Sequence, residues 1–166
     1  MKRFVSLGTL VLALAVFGPT CWAEDKPVDL KTLEAAKITL EKALEVAGAQ
    51  GKPISAKFEI EEGKLQLSVY TAKAGKFSEV LVDYLTGSVA KVEPITEGDD
   101  LKEARAQDAA MREAKTSLAD ATRKALAENA GSRAVSVVPS MQGGRAVAAV
   151  TLAGAQGAKT VSEALQ

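Results

Sequence analysis

Leu33, Ala36, Leu40, Ala43, Leu44 and Ala47 recur at steps of three and four residues and mark one apolar helical stripe. Gly48 and Gly51 stop it, and Pro53 confirms the break. The period then changes. Ile54, Ala56, Phe58 and Ile60 alternate with Lys57, Glu59 and Glu61, the pattern of a half-buried strand. Gly63 turns the chain into a second alternating run, with Leu65, Leu67 and Val69 set against Gln66, Ser68 and Tyr70. Gly75 opens a third strand over 77–85, and Gly87 a sharp turn before a short tail strand starting at Val89. A helix covering one face of three antiparallel strands is the unit this predicts.

The rest of the chain repeats that plan with smaller side chains. Ala36-Lys37-Ile38-Thr39-Leu40 and the following Ala43 recur as Ala114-Lys115-Thr116-Ser117-Leu118 and Ala121, offset by 78 residues. The Glu62-Gly63-Lys64 turn matches Gly143-Gly144-Arg145 at an offset of 81, and Gly75-Lys76 matches Gly157-Ala158-Lys159 at 82. A slightly longer second helix would absorb the growth from 78 to 81, because three residues are close to one turn. Ala104, Met111, Ala114, Leu118, Ala121 and Ala125 carry the second stripe within a helical signal over 101–129. Asp100 and Glu103 have capping-box spacing at its start, and Ser117 with Asp120 can cap a new helix after a break near Thr116. Strands are expected over 135–138 and 146–152, with a last segment over 159–165. The fold class read from these periods is α+β, two repeated modules, each a helix packed on a three-stranded antiparallel sheet. The boundaries are 29–95 and 114–166, with a helical linker over 96–113. Phe58, Tyr70, Phe77 and Tyr84 all lie in the first module, so the second must build its core from Ala, Val and Leu. It buries less apolar area per residue and is expected to be the less stable half, dependent on docking to the first.

Ahead of both modules stands a three-part export signal over 1–23. Lys2 and Arg3 precede an uncharged apolar run from Phe4 to Gly18, and Cys21-Trp22-Ala23 offers small residues for cleavage after Ala23. An uncleaved anchor is the weaker reading, since the run falls short of the roughly 20 residues a membrane span needs. A lipid anchor on Cys21 is weaker again, with Gly18-Pro19-Thr20 a poor lead-in. Cleavage would give a periplasmic or secreted protein without Cys or Trp, and therefore without disulfides. Losing Lys2 and Arg3 leaves 19 basic side chains against 21 acidic ones, a formal charge of −2. No Lys/Arg cluster suggests nucleic acid, or a membrane beyond the signal segment.

Composition also restricts chemistry. With no His and no Cys after cleavage, Ser–His and Cys–His nucleophiles cannot be assembled. Carboxylates alone suit zinc poorly. Glu97-Gly98-Asp99-Asp100 lacks the alternating oxygen ligands of a calcium loop and reads as an acidic helix start. Glu59, Glu61, Glu62 and Asp83 are available for paired-carboxylate hydrolysis, but no apolar setting to raise one pKa is evident in the pattern. No catalytic, cofactor or metal residue is expected. The chain reads as a non-enzyme whose partner is a protein or peptide.

The helix opening on [S/T]-L-x-x-A, the two glycine-turned strands and the closing Val82-Asp83-Tyr84-Leu85-Thr86-Gly87-Ser88-Val89 resemble the PepSY domain family. The V-D-x-x-T-G-x-V segment is the most specific part. Asp83 can accept backbone N–H groups across the turn, and Gly87 supplies a positive φ. The resemblance covers about residues 36–95, and 114–166 in part, because no second Asp-x-x-Thr-Gly turn precedes Gln166. It implies an extracytoplasmic regulator or inhibitor of a secreted peptidase. An adaptor of the cell envelope is the alternative. Binding would use a sheet face or edge. If Val80, Val82 and Tyr84 face the helix, Phe77, Leu81 and Leu85 point away from it, joined by Tyr70, as the candidate partner surface. Packing of that face against the second module or its long helix is the competing reading.

Overall fold

The computed structural model describes residues 28–166. The expected export signal and its cleavage site lie outside the described residues. The first half contains α1 (Leu30–Leu33), α2 (Leu40–Ala47), β1 (Lys52–Glu61), β2 (Lys64–Lys73), β3 (Lys76–Val82) and β4 (Val89–Ile95). The second contains α3 (Gly98–Glu113), α4 (Leu118–Ala127), β5 (Arg133–Gln142), β6 (Arg145–Gly154) and β7 (Gly157–Ala164).

The fold is α+β. All seven strands form one antiparallel sheet in the order β4-β3-β2-β1-β5-β6-β7. This corrects the expectation of two three-stranded sheets: β1 and β5 pair with each other, so both halves share one sheet and one hydrophobic core. The junction has a regular geometry. Ala56 pairs with Val137, 81 residues further on, and both strands carry an irregularity at matching places, Pro53/Ser55 and Ala134/Ser136. The hairpins repeat at the same offset, closing on Glu61·Lys64 and Gln142·Arg145, then on Lys73·Lys76 and Gly154·Gly157. Gly75 therefore matches Gln156, one place short of the Gly157 match expected.

Helices cover both faces. α2 packs on β1–β3, α4 packs on β5–β7, and the two helices touch. Ala56, Val69, Val80, Val137 and Val150 lie opposite one another across neighbouring strands and are fully or almost fully buried. Removing each such side chain from water contributes about 1.5–3 kcal/mol for a valine or larger. α3 crosses the other face over β1, β2, β5 and β6, where Ser55 donates to Gln107 Oε1 at 2.8 Å. The segment expected as a linker is thus a packed helix. It starts at Gly98, with Glu97 at the N-cap making no side-chain bond, so the proposed Asp100–Glu103 box does not cap it. Asp99 and Asp100 instead occupy its first turn, where the macrodipole favours carboxylates. Lys52 Nζ donates to the Met111 carbonyl near its other end.

The single helix expected over the first stripe is also corrected. It divides into α1 and α2 because Lys37 and Ile38 turn their N–H groups to the Tyr84 carbonyl, at 2.9 and 3.2 Å. Thr39 then starts α2 by accepting from the Lys42 N–H. The third strand ends at Val82 rather than at 85, since 83–88 form the turn. Arg133, at the start of β5, donates its guanidinium to the carbonyls of Leu33, Ala36 and Ile38, tying the second half to the break between α1 and α2. Among the described residues no helix is long and apolar enough to cross a membrane.

Candidate functional site

The turn after β3 is built as its sequence suggests. The Asp83 carboxylate accepts from the N–H groups of Leu85 at 2.7 Å and Thr86 at 3.0 Å. The Thr86 bond and then the Leu85 bond hold its pKa below the ordinary Asp range. Backbone bonds from Asp83 N–H to Ser88 C=O and from Gly87 N–H to Asp83 C=O close the turn at 2.9 and 2.7 Å. Gly87 has φ 76°, and a Cβ there would stand 3.3 Å from Ile38 Cγ2. Glycine is needed for conformation and for contact. Thr86 Oγ1 lies 2.8 Å from Ser88 Oγ. Asp83, Thr86 and Gly87 together aim the Tyr84 carbonyl at Lys37 and Ile38, so the turn anchors the start of α2.

The second half reaches the same bond without that turn. Lys115 and Thr116 donate to the Leu165 carbonyl at 2.7 and 3.2 Å, and Ser117 caps α4 by accepting from the Asp120 N–H at 3.1 Å. Leu165 lies 81 residues after Tyr84, the offset of the hairpins. The recurring A-K-x-[S/T]-L therefore has a physical meaning. Lys and the residue after it dock on a strand-end carbonyl, Ser or Thr caps, and Leu enters the core.

Tyr70, Phe77 and Leu81 share the sheet face that carries α3, through the pairings Tyr70·Glu79, Phe77·Ala72 and Leu81·Ser68. Tyr70 and Phe77 are buried, each 8% exposed. Tyr70 donates its hydroxyl to Asp100 Oδ1 of α3 at 3.2 Å, and Phe77 lines a cleft with Arg105, Asp108 and Arg112 of the same helix. Burial, then the nearby Glu79 and Asp100 carboxylates, push the Tyr70 hydroxyl well above its ordinary range. Leu81 is half-buried and Leu85 is 48% exposed. These two open into a groove of about 570 Å³ at the Asp83 end of β2–β4, lined also by Glu61, Glu79 and Lys91. The four candidate side chains thus divide between α3 and solvent.

Glu79 and Lys91 were not singled out from sequence. The alternation that puts Phe77 and Leu81 on one face also puts Glu79 between them, so its signal was present. Burial, with Glu59 nearby, raises the Glu79 pKa against the opposing effects of Ser68 and Lys57. Glu103 is raised chiefly by burial, then by Asp100. A second cleft, about 410 Å³ and mostly apolar, lies between the end of α2 and the α3–α4 connection, with Leu44, Met111 and Leu118 in its wall. Among the described residues, no group of three or more His, Cys, Asp or Glu side chains is arranged to hold a metal ion.

No protein-family model and no curated protein matches the chain. Among solved structures it is similar to a predicted lipoprotein of Clostridium difficile 630, at 12% identity over 79% of this chain and 88% of that one, with a TM-score of 0.46.

Proposed function

We propose that the chain is an exported, non-catalytic binding protein of PepSY type, formed by duplication of a helix-plus-sheet unit, that occludes an extracytoplasmic peptidase by holding one of its loops or strands. Export rests on the tripartite N-terminus, and cleavage after Ala23 would release the protein to the periplasm or the outside. Duplication is supported by the 81-residue offset shared by hairpins, sheet irregularities and docking carbonyls. The PepSY reading is supported by the Asp83 turn and its anchoring of the A-K-x-[S/T]-L segment.

The observation that carries binding is the groove beyond α3. It presents half-buried Leu81 of β3 and exposed Leu85 of the following turn. Covering a leucine side chain contributes up to about 1.5–3 kcal/mol, roughly tenfold or more in affinity. The test is titration of co-secreted peptidases with the purified protein and with Leu85→Asp. Stoichiometric inhibition that weakens at least about tenfold in the variant, with unchanged circular dichroism, is the expected result. Peptide hydrolysis by the protein itself, abolished by Glu79→Gln, would overturn the non-catalytic reading. Inhibition indifferent to Leu85 would overturn the groove.

A further inference from the structure

The sheet has two outer strands, and they are defended unequally. β4 carries Pro94 in its interior, an irregularity opposite Leu81/Val82, and the ion pair Lys91–Glu93. Proline, bulges and charges are the usual means by which an edge refuses another strand. β7 has none of the first two. Its eight residues, GAKTVSEA, run without a register shift against β6, and six of them are exposed.

The direction of its backbone groups follows from the ladder. Leu165 N–H donates to Ala146 C=O, continuing the β6–β7 register. In an antiparallel pair, alternate residues turn both N–H and C=O to the partner. Val161, Glu163 and Lys159 therefore point their backbone groups at β6. Ala158, Thr160, Ser162 and Ala164 turn theirs to the open edge.

We propose that β7 is a self-pairing edge whose occupant is the β7 of a second copy of this chain, running antiparallel across a two-fold axis at Val161. Charge complementarity selects both occupant and register. With Val161 opposite Val161, Lys159 of each copy stands opposite Glu163 of the other, on one face, and this occurs twice by symmetry. Thr160 then meets Ser162 and Ala158 meets Ala164, all with outward backbone groups, so the hydrogen-bonding parity is satisfied in the same register. Shifting by one pairing step either way sets Glu163 or Lys159 opposite Val161. Glu163 is buried and already accepts from Lys124 Nζ at 2.7 Å, and a carboxylate has a second oxygen for another donor. Lys159 is exposed. The resulting sheet has fourteen strands and leaves the Leu81–Leu85 groove, on the far side of each copy, uncovered.

Sedimentation equilibrium over a concentration series should show a reversible monomer–dimer equilibrium. Lys159→Glu, a change at an exposed position, should weaken it by about tenfold, since it sets like charges opposite each other twice. Register is read by cysteine cross-linking in the chain from residue 24 on, which has no other cysteine. Val161 occupies a non-hydrogen-bonded pair across the axis, with Cα atoms about 4.5 Å apart, within disulfide reach. Val161→Cys should give a disulfide-linked dimer under mild oxidation, and Ala158→Cys, several residues off the axis, should not. A chain that stays monomeric with Val161→Cys unlinked would overturn the proposal. So would equal linking at both positions, or capture by Val161→Cys of an extended segment of a different protein.

Discussion

The two halves of the sheet place equivalent backbone bonds with different side chains. In the first, Asp83, Thr86 and Gly87 build a turn, the chain continues into β4, and the Tyr84 carbonyl is presented from within that turn. In the second, β7 presents the Leu165 carbonyl directly, with the Leu165 side chain fully buried. The cores differ as well. Phe58, Tyr70 and Phe77 are buried in the first half, whereas β5–β7 bury no aromatic side chain, only Ala, Val, Leu and Pro139 among apolar residues. What is common to both is backbone geometry, the docking of two N–H groups on a strand-end carbonyl followed by a hydroxyl cap. Side chains around it are free to differ. The elaborated half, with its fourth strand and turn, also holds the open groove, while the plain half carries the edge strand that has neither proline nor a register shift.

Core substitutions should break this comparison most strongly. Phe58→Ala is expected to cost about 3–5 kcal/mol. Val137→Ala, opposite the neighbouring Ala56, should cost about 2 kcal/mol, because less area is lost. Chemical denaturation should show one transition in each variant. The caps sharpen the comparison at a smaller scale. Thr39→Ala and Ser117→Ala should each cost about 1 kcal/mol, and a clear inequality would mean that the two docking segments are not equivalent.

The smallest effect concerns acid. Burial raises the Glu79 pKa, so the folded chain holds that proton more tightly than the unfolded chain does. Stability is then lost as pH rises from the ordinary Glu value through the folded one. Glu79→Gln should be more stable than the parent at neutral pH and lose that advantage in acid, as read from melting temperature against pH. Asp83 has the opposite sign: its lowered pKa adds stability at neutral pH that disappears as pH falls through the folded value.

Much of the local structure was legible. Apolar alternation and glycine turns pointed to all seven strands, and the hydroxyl of Ser117 marked a helix start that the structure contains. What failed was whatever depended on a distant partner. The stripe from Leu33 to Ala47 reads as one helix because nothing local says that Lys37 and Ile38 must bond to residue 84. The fusion of two sheets into one depends on β1 meeting β5, and an alternating strand carries no label for its neighbour. α3 is charged along most of its length. Ala104 and Met111 stood on the expected stripe, and packing against the long helix was the competing reading for the face of Tyr70 and Phe77. Nothing local, however, marks Gln107 as a residue that presses on the sheet. That packing divides the candidate surface, burying Tyr70 and Phe77 and leaving Leu85 exposed.

Native-state hydrogen exchange, followed residue by residue at increasing denaturant, tests the shared sheet and core most directly. The slowest amides of β1–β3 and of β5–β7 should converge on one global opening with the same denaturant dependence. Loss of protection throughout β5–β7 in a separate, lower-energy opening, with β1–β3 still protected, would contradict it.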